Sequence, residues 1–205
     1  MPVILLIRHG ENDYVKKHRL AGRLPGVHLN KKGQEQARLL AEKLADVPVK
    51  AVYSSPLERT LETAAPLAQA LGLEVISRPG LIETDFGEWQ GESLKKLGRL
   101  KAWRMVQNRP SLMRFPGGET FAEIQMRYVH ELETICKQHE AKDILVCVSH
   151  ADPIRLAVAY YIGLPLDMFQ RLSVLPGSIS ALWITEGASQ LLALNYDPAF
   201  SLFKP

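Results

Sequence analysis

Apolar positions recur along the chain with two periods. Val3-Ile4-Leu5-Leu6-Ile7 and Ile144-Leu145-Val146-Cys147-Val148 are unbroken runs rich in β-branched residues, the pattern of parallel strands covered on both faces. Lys50-Ala51-Val52-Tyr53-Ser54 and Leu73 to Ile76 predict two more strands, and Ile179-Ile184 with Gln190-Tyr196 a closing hairpin. Between strands the spacing becomes helical. Ala37, Leu40, Ala41, Leu44 and Ala45 share one face behind a cap at Asn30, and Phe121, Ile124, Tyr128, Leu132 and Ile135 stripe a helix over 119–139. Ser55-Pro56 opens a helix that carries Arg59, Thr60 and Thr63 and ends near Leu71-Gly72; further helices are expected over 93–108 and from Pro153 to Ile162. This alternation predicts an α/β fold, a mostly parallel sheet with right-handed crossovers and helices on both faces. At 205 residues and 46% hydrophobic, the chain suits a single domain spanning 1–205 around one sizeable core.

Two of the strands end in histidine. The first delivers Arg8-His9-Gly10-Glu11 and the later one Ser149-His150-Ala151-Asp152. In a parallel sheet the carboxyl ends share an edge, so both imidazoles are expected in one crevice. His9 reads as the reactive residue, Arg8 as a holder of an oxyanion, and Gly10 as a turn at positive φ around that ion. The polar stretch from Glu11 to His28 is expected to be a functional loop. A glycine-flanked loop from Leu81 to Gly91 supplies Glu83, Asp85 and Glu88. Two histidines, Arg8, Arg59 and the carboxylate Glu83 suit phosphoryl transfer, in which charge spreads over the equatorial oxygens and fixed donors must meet it. A neutral imidazole can attack phosphorus and split the displacement into two easier steps.

Charge and cysteine usage remove other classes. A formal net charge of +3 gives no reason to expect nucleic acid or a membrane surface as partner, and Lys16-Lys17-His18-Arg19 lacks a recognition element or interleaved aromatics. No segment approaches the roughly 18 apolar residues of a membrane span, and Cys136 and Cys147 are expected to be reduced, so a cytoplasmic protein is the expectation. A thiol phosphatase needs an arginine six positions after its cysteine; Pro153 and Lys142 stand there. Neither a Walker loop nor a His-Glu-x-x-His helix occurs, and no metal or other cofactor is expected. His18, His28, His130 and His139 are read as structural or solvated.

Four ordered blocks carry a resemblance that spans nearly the whole chain. Arg8-His9-Gly10-Glu11, Ser54-Ser55-Pro56-Leu57-Glu58-Arg59-Thr60, Leu81-Ile82-Glu83 through Phe86-Gly87-Glu88-Trp89-Gln90-Gly91, and Val148-Ser149-His150 resemble the motifs of the histidine phosphatase superfamily, phosphoglycerate-mutase-like branch. The resemblance implies a three-layer α/β/α sandwich and no metal requirement. It also implies that His9 is phosphorylated, that Arg8, Arg59 and His150 bind the phosphoryl group, and that Glu83 donates the proton. A donor in that role must be protonated, so its pKa is expected to be raised by partial burial beside a phosphate dianion. The family commonly has Ser or Thr where Asn12 stands and Asn where Val15 stands, which makes Asn12 the candidate phosphate donor of this loop. Ala151 replaces a common glycine and keeps a backbone N–H for an anion at a helix start. Gly117-Gly118-Glu119-Thr120 resembles a loop that lies beside substrate in relatives, so Glu119, together with Arg23, is a candidate substrate contact.

In the family, residues 92–118 correspond to a lid-like insertion over the active site. Lys95, Lys96, Arg99, Lys101, Arg104, Arg109 and Arg114, with Lys16, Lys17 and Arg19, favour a substrate with a second anionic group. The expected partner is a small phosphomonoester, hydrolysed through a phosphohistidine. The alternative is a phosphomutase of the phosphoglycerate mutase type, which shares that intermediate; a non-catalytic binding protein on the same scaffold is the alternative of another class. Oligomeric state is open, a homodimer included.

Overall fold

The structure is a computed structural model and describes residues 2–199. Six strands, β1 (Val3–Arg8), β2 (Val49–Ser54), β3 (Val75–Ser77), β4 (Ile144–Ser149), β5 (Ile179–Ile184) and β6 (Ser189–Tyr196), form one sheet in the order β3-β2-β4-β1-β5-β6. The first four pair in parallel; β5 runs antiparallel to β1 and β6 to β5. Side chains of β1 alternate between the two faces, as the pleat requires. Ile4 and Leu6 enter a core with Tyr128, Leu132 and Ile154, whereas Ile7 enters one with Leu40, Leu67 and Val148. Both faces are therefore dry, which explains why β1 and β4 read as continuous apolar runs.

Among the described residues, seven α-helices surround the sheet: α1 (Asp13–Lys16), α2 (Lys31–Leu44), α3 (Glu58–Leu71), α4 (Leu94–Leu97), α5 (Lys101–Asn108), α6 (Phe121–Cys136) and α7 (Ala151–Tyr161). The α2–α3 pair covers one face and α6–α7 the other, giving the α/β/α layering. A third cluster stands above the sheet edge. There Phe115 meets Phe86, Trp89 and Phe121 edge-on at centroid separations of 5.0, 5.5 and 5.2 Å. Leu97 and Val106 are buried in the same cluster, which fastens the segment carrying α4 and α5 to α6.

Several boundaries differ from the sequence reading. The stretch from Glu11 to His28 contains α1, because the Asn12 side chain accepts from the Val15 N–H and caps a short turn. α2 starts after its Asn30 cap as expected, but Ala45 closes it as an exposed residue outside the apolar stripe. α3 begins at Glu58, since the chain stays extended through Leu57. The helix expected over 93–108 is two helices, interrupted at Gly98, where the low helix propensity of glycine coincides with the end of a turn. α7 begins at Ala151, with Pro153 tolerated in its first turn.

Gly10 is needed for a different reason from the one expected. Positive φ occurs at Gly22, Gly87 and Gly117, among others, and Gly10 is not one of these positions. A Cβ at Gly10 would lie 2.5 Å from the Gly33 carbonyl oxygen and 2.9 Å from its Cα, so the loop after β1 rests directly on the backbone of α2. Backbone cannot yield as a flexible side chain can. Gly10→Ala is expected to destabilise the protein by roughly 1–3 kcal/mol, the cost of overpacking, read as a lower midpoint in urea unfolding with an unchanged slope.

Candidate functional site

Parallel pairing sets the core of the site. Arg8 lies opposite Ser149 in the β1–β4 register, and the His9 N–H continues the ladder to the Ser149 carbonyl at 2.9 Å. His9 and His150 therefore leave the same edge of the sheet, their rings 5.3 Å apart. α3 adds Arg59 from the side, held by Thr63, whose hydroxyl donates to the Arg59 carbonyl and accepts from the Gly10 N–H. The loop after β3 brings in Glu83, whose carboxylate stands 3.7 Å from His150 Nδ1. Arg8, His9, Asn12, Arg59, Glu83 and Ala151 all line a cleft of about 460 Å³. His150 is wholly buried and does not itself line the cleft.

Hydrogen bonds assign the tautomers. His9 Nδ1 lies 2.7 Å from the Gly10 carbonyl, so Nδ1 carries the proton and donates, leaving the Nε2 lone pair exposed to the Nε–H of Arg59 at 3.3 Å. An arginine can only donate, so His150 Nδ1 accepts from Arg59 Nη2 at 3.3 Å, and His150 Nε2–H donates to Ser55 Oγ at 2.8 Å. Burial, then Arg59, pushes both imidazoles well below their ordinary pKa, with Arg8 adding to the effect. Both are neutral at pH 7. Arg8 is itself pushed down to about 10, by burial and by Arg155, and remains charged.

Glu83 moves the other way. Burial first, then the neighbouring Asp152, pushes its carboxyl up to about 7, although Arg59 and the Thr84 N–H oppose the rise. Of the two causes expected, burial therefore raises this carboxyl, and the neighbouring Asp152 adds to it. Among the described residues, four buried donors on cleft-lining side chains have no partner: Arg8 Nε, Arg59 Nη1, Asn12 Nδ2 and Arg155 Nε. Buried polar groups are nearly always paired, so orphan donors beside a neutral imidazole make a receptor for an oxyanion. The Oδ1 of Asn12 is used by the α1 cap, while its Nδ2 has no partner among the described residues. Among the described residues no group of three or more His, Cys, Asp or Glu side chains converges as a metal site. No helix there is long and apolar enough to cross a membrane, and Cys136 and Cys147 are both free and buried.

Other candidates lie elsewhere. Arg23 and Glu119 are absent from the cleft wall and bond to each other at 2.8 Å behind the Glu83 loop. All seven cations of the stretch from Lys95 to Arg114 are exposed, and the residues it turns to the cleft are Trp103, Val106 and Gln107, with Leu94 just before it and Phe115 just after it. Amphipathic helices direct their charges outward and their apolar stripe toward the cluster beneath. His18 and Arg19 stand on the rim. Asp152, Arg155 and Gln170 complete the wall and escaped the sequence reading. A signal existed for Arg155, which follows Ala151 by four positions and so shares its helix face.

With this geometry in place, the comparisons agree. Residues 4–197 match the model of the histidine phosphatase superfamily, branch 1, and the chain belongs to that family. It is 32% identical over 197 residues to phosphoserine phosphatase 1 of Hydrogenobacter thermophilus, covering 95% of this chain and 92% of that protein. The 2,3-bisphosphoglycerate-dependent phosphoglycerate mutase of Thermoplasma acidophilum is 28% identical, with 91% and 90% covered. Among solved structures, the phosphoserine phosphatase of Entamoeba histolytica in complex with 3-phosphoglyceric acid superposes with a TM-score of 0.84 at 26% identity, covering 95% of this chain and 97% of that one. Sequence relatives and fold thus point to one phosphatase and mutase family.

A stability measurement can read the Glu83 environment without any substrate. Its carboxyl is raised from 4.5 to about 7, so between those pH values the folded protein holds a proton that the unfolded chain has released. The associated stability is complete below pH 4.5 and is lost as pH rises to about 7, amounting to roughly 3 kcal/mol. Glu83→Gln should remove this slope: relative to wild type, the variant gains stability between pH 5 and pH 8. Parallel pH profiles for the two proteins in urea titrations would contradict the assignment.

Proposed function

We propose that the protein hydrolyses phosphomonoesters through a phosphohistidine on Nε2 of His9. The observation that carries this reading is the neutral His9 ring, fixed through Nδ1 on the Gly10 carbonyl with its Nε2 lone pair facing the cleft among unpaired buried donors. Nε2 attacks phosphorus while the bond to the ester oxygen breaks, and Glu83, poised near neutrality, gives its proton to that oxygen. Water then attacks the phosphohistidine and passes a proton to the Glu83 carboxylate, releasing phosphate and restoring both residues. Arg8 and Arg59 stay positive throughout and meet the charge on the equatorial oxygens. His150 accepts a hydrogen bond from Arg59, and a bound dianion that offsets the arginine charge favours its protonation and a further donated bond.

The substrate is read as a small phosphorylated metabolite with an anionic group beyond the ester, because Arg155 and Arg19 stand on the wall and rim while Trp103 and Val106 offer apolar contact. Residues 92–118 act as a lid-like cover, and the two free, buried thiols accord with a cytoplasmic setting. Mutase chemistry is the second reading, favoured by the Thermoplasma relative, and differs only in that bound product replaces water as the acceptor.

Two experiments test the reading. Over a panel of phosphoserine, 3-phosphoglycerate and sugar phosphates, free phosphate is the expected product; rapid isomerisation without phosphate release would establish the mutase instead. His9→Ala should lower kcat/KM by at least about 10³-fold and abolish acid-labile labelling from a radioactive phosphodonor. Turnover near the wild-type level in that variant, or no labelling of the wild type, would overturn the nucleophile. In wild type, kcat/KM should fall above about pH 7 as Glu83 loses the proton it must donate.

A further inference from the structure

Glu83 has little of its own to hold it. Its side chain makes one hydrogen bond, from the adjacent Thr84 N–H at 2.9 Å, and it sits on a loop rather than on a strand or helix. The loop's backbone is held from behind. Arg127, half-buried on the second turn of α6, reaches back so that Nη1 donates to the carbonyls of Gly80 at 2.8 Å and Ile82 at 3.0 Å. Arg23 Nε donates to the carbonyl of Glu83 itself at 2.9 Å. Glu119 joins the two guanidiniums: its Oε2 accepts from Arg23 Nη2 at 2.8 Å and Arg127 Nη2 at 3.2 Å, and its Oε1 from Arg127 Nε at 3.1 Å. The same Oε2 accepts from the Asp85 N–H at 3.0 Å, and the Glu119 N–H donates to the Asp85 carbonyl at 3.0 Å.

We propose that Arg23, Glu119 and Arg127 form a clamp that positions Glu83 for proton transfer to the leaving oxygen, acting on the loop backbone and not on the substrate. The placement supports this directly. Neither Arg23 nor Glu119 lines the cleft, and the side chains of all three are only about a quarter exposed or less, at 28%, 21% and 23%. Charge supports it as well. Two cations face Glu119 and, at 3.6 Å from Arg23, Asp85, so the cluster is balanced and none of its members appears among the causes of the Glu83 shift. It therefore fixes where the carboxyl stands while burial and Asp152 set its affinity for the proton. A general acid must lie within hydrogen-bond reach of its target, so small displacements of this loop reduce proton transfer steeply.

The clamp rests on the hydrolase reading, and leaving-group dependence tests it separately. A poor leaving group needs the proton; a good one departs without it. For a series of substituted phenyl phosphates of similar size, kcat/KM reports attack by His9 and departure of the phenol. In Arg127→Met, Arg23→Met and Glu119→Gln, phenyl phosphate should lose at least about 10-fold more kcat/KM than 2,4-dinitrophenyl phosphate, part of the 10²–10⁴-fold that a general acid supplies. Glu83→Gln gives the steepest dependence, and adding Glu119→Gln to it should steepen it no further. Arg127→Lys should recover part of the loss. Should Arg127→Met fail to fold by thermal melting, the isosteric Glu119→Gln and the partly exposed Arg23→Met carry the test.

Equal losses across the series, or added steepening in the double variant, would overturn the clamp. If the wild type is active and His9→Ala is dead, that result leaves the hydrolase reading standing. A wild type inactive on every aryl phosphate sinks both.

Discussion

Everything at the cleft is arranged around a buried positive charge. Arg59 is the largest wholly buried side chain among the described residues, and a guanidinium taken out of water costs several kcal/mol unless its donors are met. Its compensation is partial: the Gly22 carbonyl takes Nη2 at 2.7 Å, two neutral imidazoles accept weakly at 3.3 Å, and Nη1 has no partner. The fold tolerates this because α3 and the loop after β1 are tied together through Thr63, so the charge cannot swing out to solvent. A site that keeps a cation incompletely satisfied is complementary to an anion, and most complementary to one that gains charge as it reacts.

The same burial separates the proton affinities that the chemistry requires. Low polarity around His9 and His150 disfavours their charged forms, and the neighbouring arginines add to the effect, so the nucleophile is held with its lone pair available. Around Glu83, low polarity acts on a group of opposite charge and retains the proton instead. One dry environment thus produces a base and an acid within a few ångströms, the pattern by which a single fold runs both kinds of chemistry at neutral pH. Distance from solvent sets these affinities, and the hydrogen bonds behind the Glu83 loop set its geometry.

Specificity belongs to a different layer. His9 and His150 leave strand ends and Arg59 comes from α3, whereas the outer wall comes from α5, α7 and the aromatic cluster around Phe115. A hydrolase and a mutase that share one intermediate differ in whether water or bound product reaches it, and access to a cleft is a property of its walls.

Much of this was legible without coordinates. The runs Val3–Ile7 and Ile144–Val148 required two doubly covered strands, whose ends in a parallel sheet share an edge and so bring Arg8, His9 and His150 together, while the resemblance of the four motif blocks added Arg59 and Glu83 to the same site. The role of Gly10 was not legible, since it depends on the approach of α2, a contact with Gly33 across the fold. Nor could the sequence place Arg23 and Glu119 behind the loop, or direct Trp103 and Arg155 into the cleft and the cations of 95–114 out of it. Local period and residue type determine which segments form elements and which groups carry chemistry. Which side of a loop a long, flexible charged side chain serves depends on which backbone carbonyls lie within reach, and only tertiary packing decides that.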